Sequence, residues 1–209
     1  MMLVLAAAIS FTSCKSTTPI EKARKNQYKS KMAEFKKGGW EVFGTAKSLD
    51  VALLEYYEKL EKEGAQELMG VASSFISKNV GKQAAFNSAV VEYANKAKSM
   101  IRGRVSTDLF GNATDVPTEF DKFYAAYESM VVKEINGEIE YCFSVIRPVR
   151  KDEKGKDIFE MQSYFIVNEN EAAKARIRAM ESAFKESNMA KEYAEKISNY
   201  VRECVPTNE

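Results

Sequence analysis

Two runs of alternating apolar and polar residues in the second half of the chain constrain its fold more than any other feature. The first run has its apolar residues at every second position, namely Ile139, Tyr141, Phe143 and Val145. The second run follows a polar, turn-like segment at 151–156 and contains Phe159, Met161, Phe165 and Val167. A period of two is typical of strands with one buried face, so we predict a β-hairpin in a sheet covered by helices on one side.

Apolar residues spaced three, four and seven apart predict amphipathic helices around this hairpin. Ser48 is suited to cap the first of them, because its hydroxyl can accept a hydrogen bond from a free N–H at the helix start. The strongest pattern runs over 120–131, and two further helices close the chain at 172–184 and 190–201. The stripe after Ser48 consists of Leu49, Ala52, Leu53, Tyr56, Tyr57 and Leu60, and the next helix presents Phe86, Val90, Tyr93, Ala97 and Met100.

Three further segments are predicted to be extended. Trp40–Ala46 follows the pair Gly38-Gly39, and the composition of 65–76 favours a strand over a continued helix. Ile101–Phe110 is also predicted to be extended. The chain is therefore predicted to be an α+β protein with an antiparallel sheet of about four or five strands, including the hairpin, covered by amphipathic helices, two of them at the C-terminus.

The N-terminal residues indicate where the protein is located. Leu3–Phe11 is an unbroken run of nine mostly apolar residues, followed by Thr12-Ser13-Cys14 and a polar stretch. A membrane-spanning helix needs about 20 apolar residues, so this run is too short to span a bilayer and is typical of a signal peptide. The alternatives are an ordinary secretory signal and an N-terminal strand of the folded body, and in both of them Cys14 has no special role.

The apolar run, small residue, cysteine and polar tether resemble, in that order, the cleavage site of bacterial lipoproteins, although Phe11 stands where the family prefers leucine. In that family the signal is cut before a cysteine whose thiol carries diacylglycerol. The resemblance therefore implies that Cys14 is the lipidation site and anchors the chain to a lipid bilayer. Lys15 follows the cysteine. Because an aspartate in that place favours inner-membrane retention in Gram-negative lipoproteins, the resemblance implies the outer membrane, with the body facing the periplasm or the cell surface.

These features divide the chain into a signal peptide at 1–13, a lipidated basic tether with a short helix at 14–37, and a single α+β domain at 38–209. The only candidate division within the domain is the loop near 111–117. Residues 15–37 contain eight Lys or Arg and two Glu, a net charge of +6. Such a strip attracts anionic headgroups by about 1 kcal/mol per charge near the surface. We favour the alternative, a solvated helix that packs one stripe on the domain. That stripe consists of Tyr28, Met32 and Phe35.

The composition excludes several classes of function. The absence of histidine removes the commonest general base, the commonest metal ligand and every Ser-His or Cys-His pair. Ser182-Ala-Phe-Lys185 matches S-x-x-K but lacks the S-D-N and K-T-G motifs of penicillin-recognising enzymes. The net charge of +1 predicts no nucleic-acid partner. We predict no catalytic residues, no cofactor and no metal site. The acidic residues of the predicted loop and turn are interpreted as solvated: Asp108, Asp115, Glu119, Asp121, Asp152, Glu153 and Asp157.

Two cysteines remain if Cys14 is lipidated. Cys142 lies in the predicted hairpin, and Cys204 follows the last predicted helix. In an oxidising compartment they can form a disulfide closing the 63 residues from 142 to 204, which would contribute about 4 kcal/mol through chain entropy. Two free thiols are the alternative, which we favour. A change in electrophoretic mobility on reduction distinguishes the two.

The sequence thus predicts a non-catalytic, membrane-anchored envelope lipoprotein with a binding or scaffolding role, whose partners are the bilayer and an envelope protein. The alternative is an accessory carbohydrate-binding protein or a carboxylate-based hydrolase of the envelope, because ten tyrosines and one tryptophan could supply stacking surfaces. The order of elements also resembles small α+β periplasmic modules of envelope lipoproteins and flagellar-assembly proteins. That resemblance depends on the strand at Trp40, its helix and a strand at Arg102–Val105, and it implies no site residue.

Overall fold

A computed structural model describes residues 19–111 and 117–203. Its sheet contains four strands, namely β1 (Glu41–Phe43), β2 (Ala65–Phe75), β3 (Ile139–Lys151) and β4 (Asp157–Asn168). Neighbouring strands are antiparallel and the spatial order is β1-β3-β4-β2. The predicted hairpin is therefore confirmed as the centre of the sheet, and β2 is an edge strand.

Six α-helices accompany the sheet in the described ranges. They are α1 (Pro19–Lys37), α2 (Leu49–Leu60), α3 (Lys78–Phe110), α4 (Thr118–Ile135), α5 (Glu169–Ser187) and α6 (Lys191–Glu203). The α+β class, the antiparallel sheet and the two C-terminal helices are confirmed. Ser48 caps α2 as predicted, since its hydroxyl oxygen accepts the N–H of Val51 at 3.4 Å. Within the described part of the chain, we find no helix that combines the length and apolar character needed to cross a membrane.

Helices cover both faces of the sheet, so the prediction of a single covered face is wrong. α1 and α2 pack on one face, where Phe35 and Tyr56 contact the rings of Phe143 and Tyr164. The first half of α3 packs on the other face. Each central strand therefore needs apolar side chains on both of its sides.

A β-bulge in β3 explains why the alternating pattern indicated one buried face. Tyr141 pairs with Phe165 and Phe143 pairs with Tyr164, so Cys142 is an extra residue between two consecutive pairs. A one-residue insertion reverses the direction in which the following side chains point. Tyr141 consequently packs on the α3 side of the sheet, whereas Phe143 packs on the side of α1 and α2.

Residues 101–110 are helical, which contradicts the predicted extended segment. They form the last third of α3, a continuous helix of 33 residues. Ile101 and Val105, which lie four residues apart, are buried in a core between α3, α4, α5 and α6. This tertiary packing outweighs the preference of β-branched residues for strands. Arg102–Val105 is therefore not a strand, and the resemblance to periplasmic modules loses one of the elements on which it depends.

The core between the helices contains the stripe that the sequence predicted most strongly. In α4 the fully buried side chains include Phe120, Phe123 and Tyr127. Ala179 and Ala183 of α5 are also fully buried there, and such small side chains allow neighbouring helices to approach closely. The protein thus has one core around the sheet and another among the helices, and α3 belongs to both.

The C-terminal half of α1 packs against α2 and the sheet. Met32 and Phe35 are buried, and the Tyr28 hydroxyl donates a hydrogen bond of 2.7 Å to Asp50 of α2. The residues at 22–27 are exposed to solvent. The predicted stripe of α1 is therefore the face that meets the domain.

Candidate functional site

A pocket of about 550 Å³ lies between α1, α2 and the sheet, beside the edge strand β2. Each helix contributes four residues at positions i, i+3, i+4 and i+7, a spacing that places side chains on one helix face. Glu67 and Met69 come from β2, and Tyr164 of β4 pairs with Met69 across the sheet. We call this site the tyrosine pocket. The helical residues lining it are Gln27, Ser30, Lys31 and Glu34 of α1, and Leu53, Tyr56, Tyr57 and Leu60 of α2.

Three tyrosines form the aromatic wall of the tyrosine pocket. Tyr56 is buried, and its hydroxyl donates a hydrogen bond to the carboxylate of Glu67. Tyr164 is also buried, and its ring stacks on Phe143 with the centroids 4.7 Å apart. Tyr57 is half-buried and meets Tyr56 edge to face. Tyr57 is therefore the tyrosine of this wall that offers the most accessible ring.

Lys31 places an ammonium group in the tyrosine pocket. Its Nζ atom lies 3.1 Å from both carboxylate oxygens of Glu34. The same atom is 5.1 Å from the ring centroid of Phe35 and 5.6 Å from that of Tyr164. Distances up to about 6 Å are typical of a cation–π interaction. The pocket therefore already accommodates one ammonium group between a carboxylate and two aromatic rings.

The charged side chains of the tyrosine pocket favour positive over negative charge. The lining contains two carboxylates, those of Glu34 and Glu67, and a single ammonium group, that of Lys31. Burial raises the pKa of Tyr164, and the charges of both carboxylates raise it further. Burial also raises the pKa of Tyr57, where the carboxylates oppose ionisation and Lys31 favours it. A phenolate is thus disfavoured at both positions, and another anion in the pocket would meet the same carboxylates.

Comparison with known proteins assigns no family to this chain. No protein-family model, curated protein or solved structure matches it. The tyrosine pocket must therefore be interpreted from its own residues, distances and charges.

In the described ranges, the acidic residues of the predicted loop and hairpin turn do not form a metal site. Asp108 lies 3.7 Å from Arg104, and Asp121 lies 3.9 Å from Arg102, so both face arginines. Within these ranges, no group of three or more acidic or cysteine side chains is arranged to hold a metal ion. Asp115 lies outside the described residues.

One of the three cysteines lies in the described part of the chain. Cys142 occupies the bulge of β3, is half-buried, and has its Sγ atom 3.9 Å from the carbonyl oxygen of Glu140. Cys14 and Cys204 lie outside the described residues, so the lipidation site and the disulfide stay predictions. Burial raises the pKa of the Cys142 thiol from 9.0 to about 11, although the nearby Lys59 ammonium lowers it.

We expect this pKa to make Cys142 slow to alkylate in the folded protein. In a variant with Cys142 as its single cysteine, iodoacetamide at pH 8 should react about 100-fold more slowly than with the unfolded chain, because the thiolate is the nucleophile. The folded rate should rise with pH up to about 11. Mass spectrometry of the labelled chain measures both rates. A folded rate that levels off near pH 9 would contradict the raised pKa.

The sequence does not predict the tyrosine pocket as a site. Its patterns place Tyr56 and Tyr57 in an apolar helix stripe, and Lys31 and Glu34 in a basic tether. No signal in α1 pointed to the pocket, because polar residues also repeat at helical spacing on the solvent-facing side of an amphipathic helix.

Proposed function

We propose that this protein is a non-catalytic lipoprotein of the bacterial outer membrane, anchored through an acylated Cys14, and that the tyrosine pocket is its ligand-binding site. One observation carries the binding role: aromatic rings, carboxylates and an ammonium group converge in a pocket of about 550 Å³. Small-molecule sites typically measure about 300–1,000 Å³ and combine apolar walls with a few placed polar groups. The leader Leu3–Phe11, ending just before Thr12-Ser13-Cys14, supports the anchor.

Metabolic labelling tests the anchor. Cells given radiolabelled palmitate should label the wild-type protein and leave the Cys14→Ala variant unlabelled, because the thiol is the attachment point of the lipid. Wild type should fractionate with the outer membrane, since each buried CH₂ of an acyl chain contributes about 0.8 kcal/mol to membrane binding. Cys142→Ala is the matched control and should label like wild type. Equal labelling of the Cys14→Ala variant would refute the anchor.

A second candidate function is carbohydrate binding or carboxylate-based glycan hydrolysis. It is favoured by the presence of Glu34 and Glu67 in one pocket with the accessible ring of Tyr57, because such sites use paired carboxylates. Against this candidate, both carboxylates already accept hydrogen bonds within the protein. The Lys31 ammonium donates to both oxygens of Glu34, and the Tyr56 hydroxyl donates to Glu67. Release of reducing sugar from cell-wall glycan by the wild type, and its loss in a Glu34→Gln/Glu67→Gln double variant, would place this candidate first.

A further inference from the structure

We propose that the tyrosine pocket binds an organic ammonium ion, and that Lys31 occupies the position which the ammonium group of the ligand takes. This inference names the ligand class for the binding role proposed above and therefore rests on it. Three properties of the pocket carry it, namely its charge, its aromatic rings and the weak attachment of Lys31.

The charge of the pocket favours a cationic ligand. Glu34 is paired with Lys31, whereas no cationic side chain in the described ranges lies within ion-pairing distance of Glu67. The contact of Glu67 in the pocket is the neutral hydroxyl of Tyr56, which leaves the negative charge of the carboxylate in place. An ammonium ligand in the pocket would be attracted by both carboxylates. A neutral sugar would gain no such attraction, and an anion would be repelled by both carboxylates.

The aromatic rings and Lys31 show how an ammonium group fits. Lys31 Nζ lies over the rings of Phe35 and Tyr164 while it contacts the Glu34 carboxylate. Carboxylates and aromatic faces together are the groups that recognise ammonium ligands, including quaternary ones. Lys31 therefore marks a position whose surroundings already suit such an ion.

Lys31 is held weakly enough to be displaced. Its side chain is a flexible four-carbon chain that is about one quarter exposed, and Glu34, its partner three residues later in α1, is more than half exposed. Ion pairs of this kind contribute about 0–1 kcal/mol to stability. Displacement returns the Lys31 ammonium to water, and the ligand takes over its contacts with Glu34 and the rings. Lys31 is thus a competitor of the ligand.

Two sources of ammonium are compatible with this chemistry. One is a free organic amine such as choline or ethanolamine, and the other is the headgroup of phosphatidylethanolamine in the membrane that carries the anchor. Both present the same cationic nitrogen to the pocket. The α1 residues of the pocket begin at Gln27, 13 positions after Cys14 in the sequence. Vesicles of defined composition separate the two sources experimentally.

The test is calorimetric titration of choline and of ethanolamine into the purified full chain in non-ionic detergent, with glucose as the uncharged probe. We expect saturable binding of the amines and none of glucose. Lys31→Gln should tighten choline binding about tenfold, and Glu67→Gln should weaken it about tenfold, as expected when a cation–π contact or a charge is gained or lost. Lys36→Gln on the exposed side of α1 and Glu58→Gln on α2 are the matched controls, and their affinities should stay within about twofold of wild type.

Several outcomes would overturn the inference. They are the absence of saturable amine binding in both wild type and Lys31→Gln, tighter binding of glucose than of choline, and weaker choline binding in Lys31→Gln than in wild type. For the source, the Cys14→Ala chain is sedimented with vesicles of phosphatidylethanolamine or of phosphatidylglycerol. A Lys31→Gln gain confined to the former supports the headgroup, and a gain in the calorimeter alone supports the free amine. The titration does not depend on acylation, so failure of the palmitate labelling and failure of the amine binding are separate results.

Discussion

Replacing Gly70 with alanine should lower the free energy of unfolding by about 3 kcal/mol, the upper range for overpacking a well-packed core. Gly70 lies in the middle of β2, where α3 crosses the sheet. A Cβ atom on this residue would lie 1.8 Å from the carbonyl oxygen of Ala85 and 2.7 Å from its carbonyl carbon. Both atoms belong to the backbone of α3, so they cannot rotate away, and the helix must move off the strand.

Thermal and urea unfolding followed by circular dichroism measure this effect. For a chain of this length, a loss of 3 kcal/mol corresponds to a fall in Tm of about 6–12 °C. Gly103→Ala is the matched control, because Gly103 lies in α3 and a Cβ atom there would meet no other atom within 4 Å. That change should stabilise the protein by about 0.5–1 kcal/mol, since alanine is the better helix former. A Gly70→Ala variant that melts like wild type would show that α3 does not approach β2 so closely.

Removing the carboxylate of Glu169 should lower the free energy of unfolding by a similar amount, about 3 kcal/mol. Arg176 of α5 is 9% exposed, and its guanidinium donates hydrogen bonds to the Glu169 carboxylate and the Tyr93 hydroxyl. Burial by itself lowers the pKa of Arg176, and its contacts with Glu169 and Tyr93 raise it overall. In Glu169→Ala the cation stays buried without a counter-charge, which is far less favourable than losing an exposed ion pair.

Glu171→Ala is the matched control for this second change. Glu171 also lies in the first turn of α5, and its partner Lys174 is 60% exposed. An exposed pair of this kind contributes less than about 1 kcal/mol, so this variant should unfold close to wild type. Equal urea midpoints for the Glu169 and Glu171 variants would mean that the Arg176 pair is not buried in solution.

The elements predicted correctly from the sequence are those whose signals are local. The alternation around Phe143 and Phe165, the Ser48 cap and the stripe of α4 each lie within about a dozen residues, and a short segment is enough to specify them. The segment 101–110 was predicted wrongly because its β-branched residues carry a local preference for strands. Its helical state depends on a core to which α4, α5 and α6 contribute.

Local sequence patterns could not predict which side of the sheet the side chains of β3 point to, and they could not predict the tyrosine pocket. The bulge at Cys142 is a property of pairing between strands, and an alternating sequence does not show where an extra residue falls. The pocket combines Lys31, Glu67 and Tyr164, which lie far apart in the chain and are each ordinary in their own segments. The lipidation of Cys14 concerns residues outside the described ranges, so it stays a prediction of the sequence.

The length of α3 affects how the protein unfolds. A helix of 33 residues is about 50 Å long at 1.5 Å per residue. Ala85 and Ala89 are fully buried against the sheet, while Ala94 and Val105 are fully buried among the helices. The core around the sheet and the core among the helices therefore share one continuous helix, α3. Unfolding of either half of the protein removes apolar contacts from α3, so we expect the two halves to unfold together in one cooperative transition.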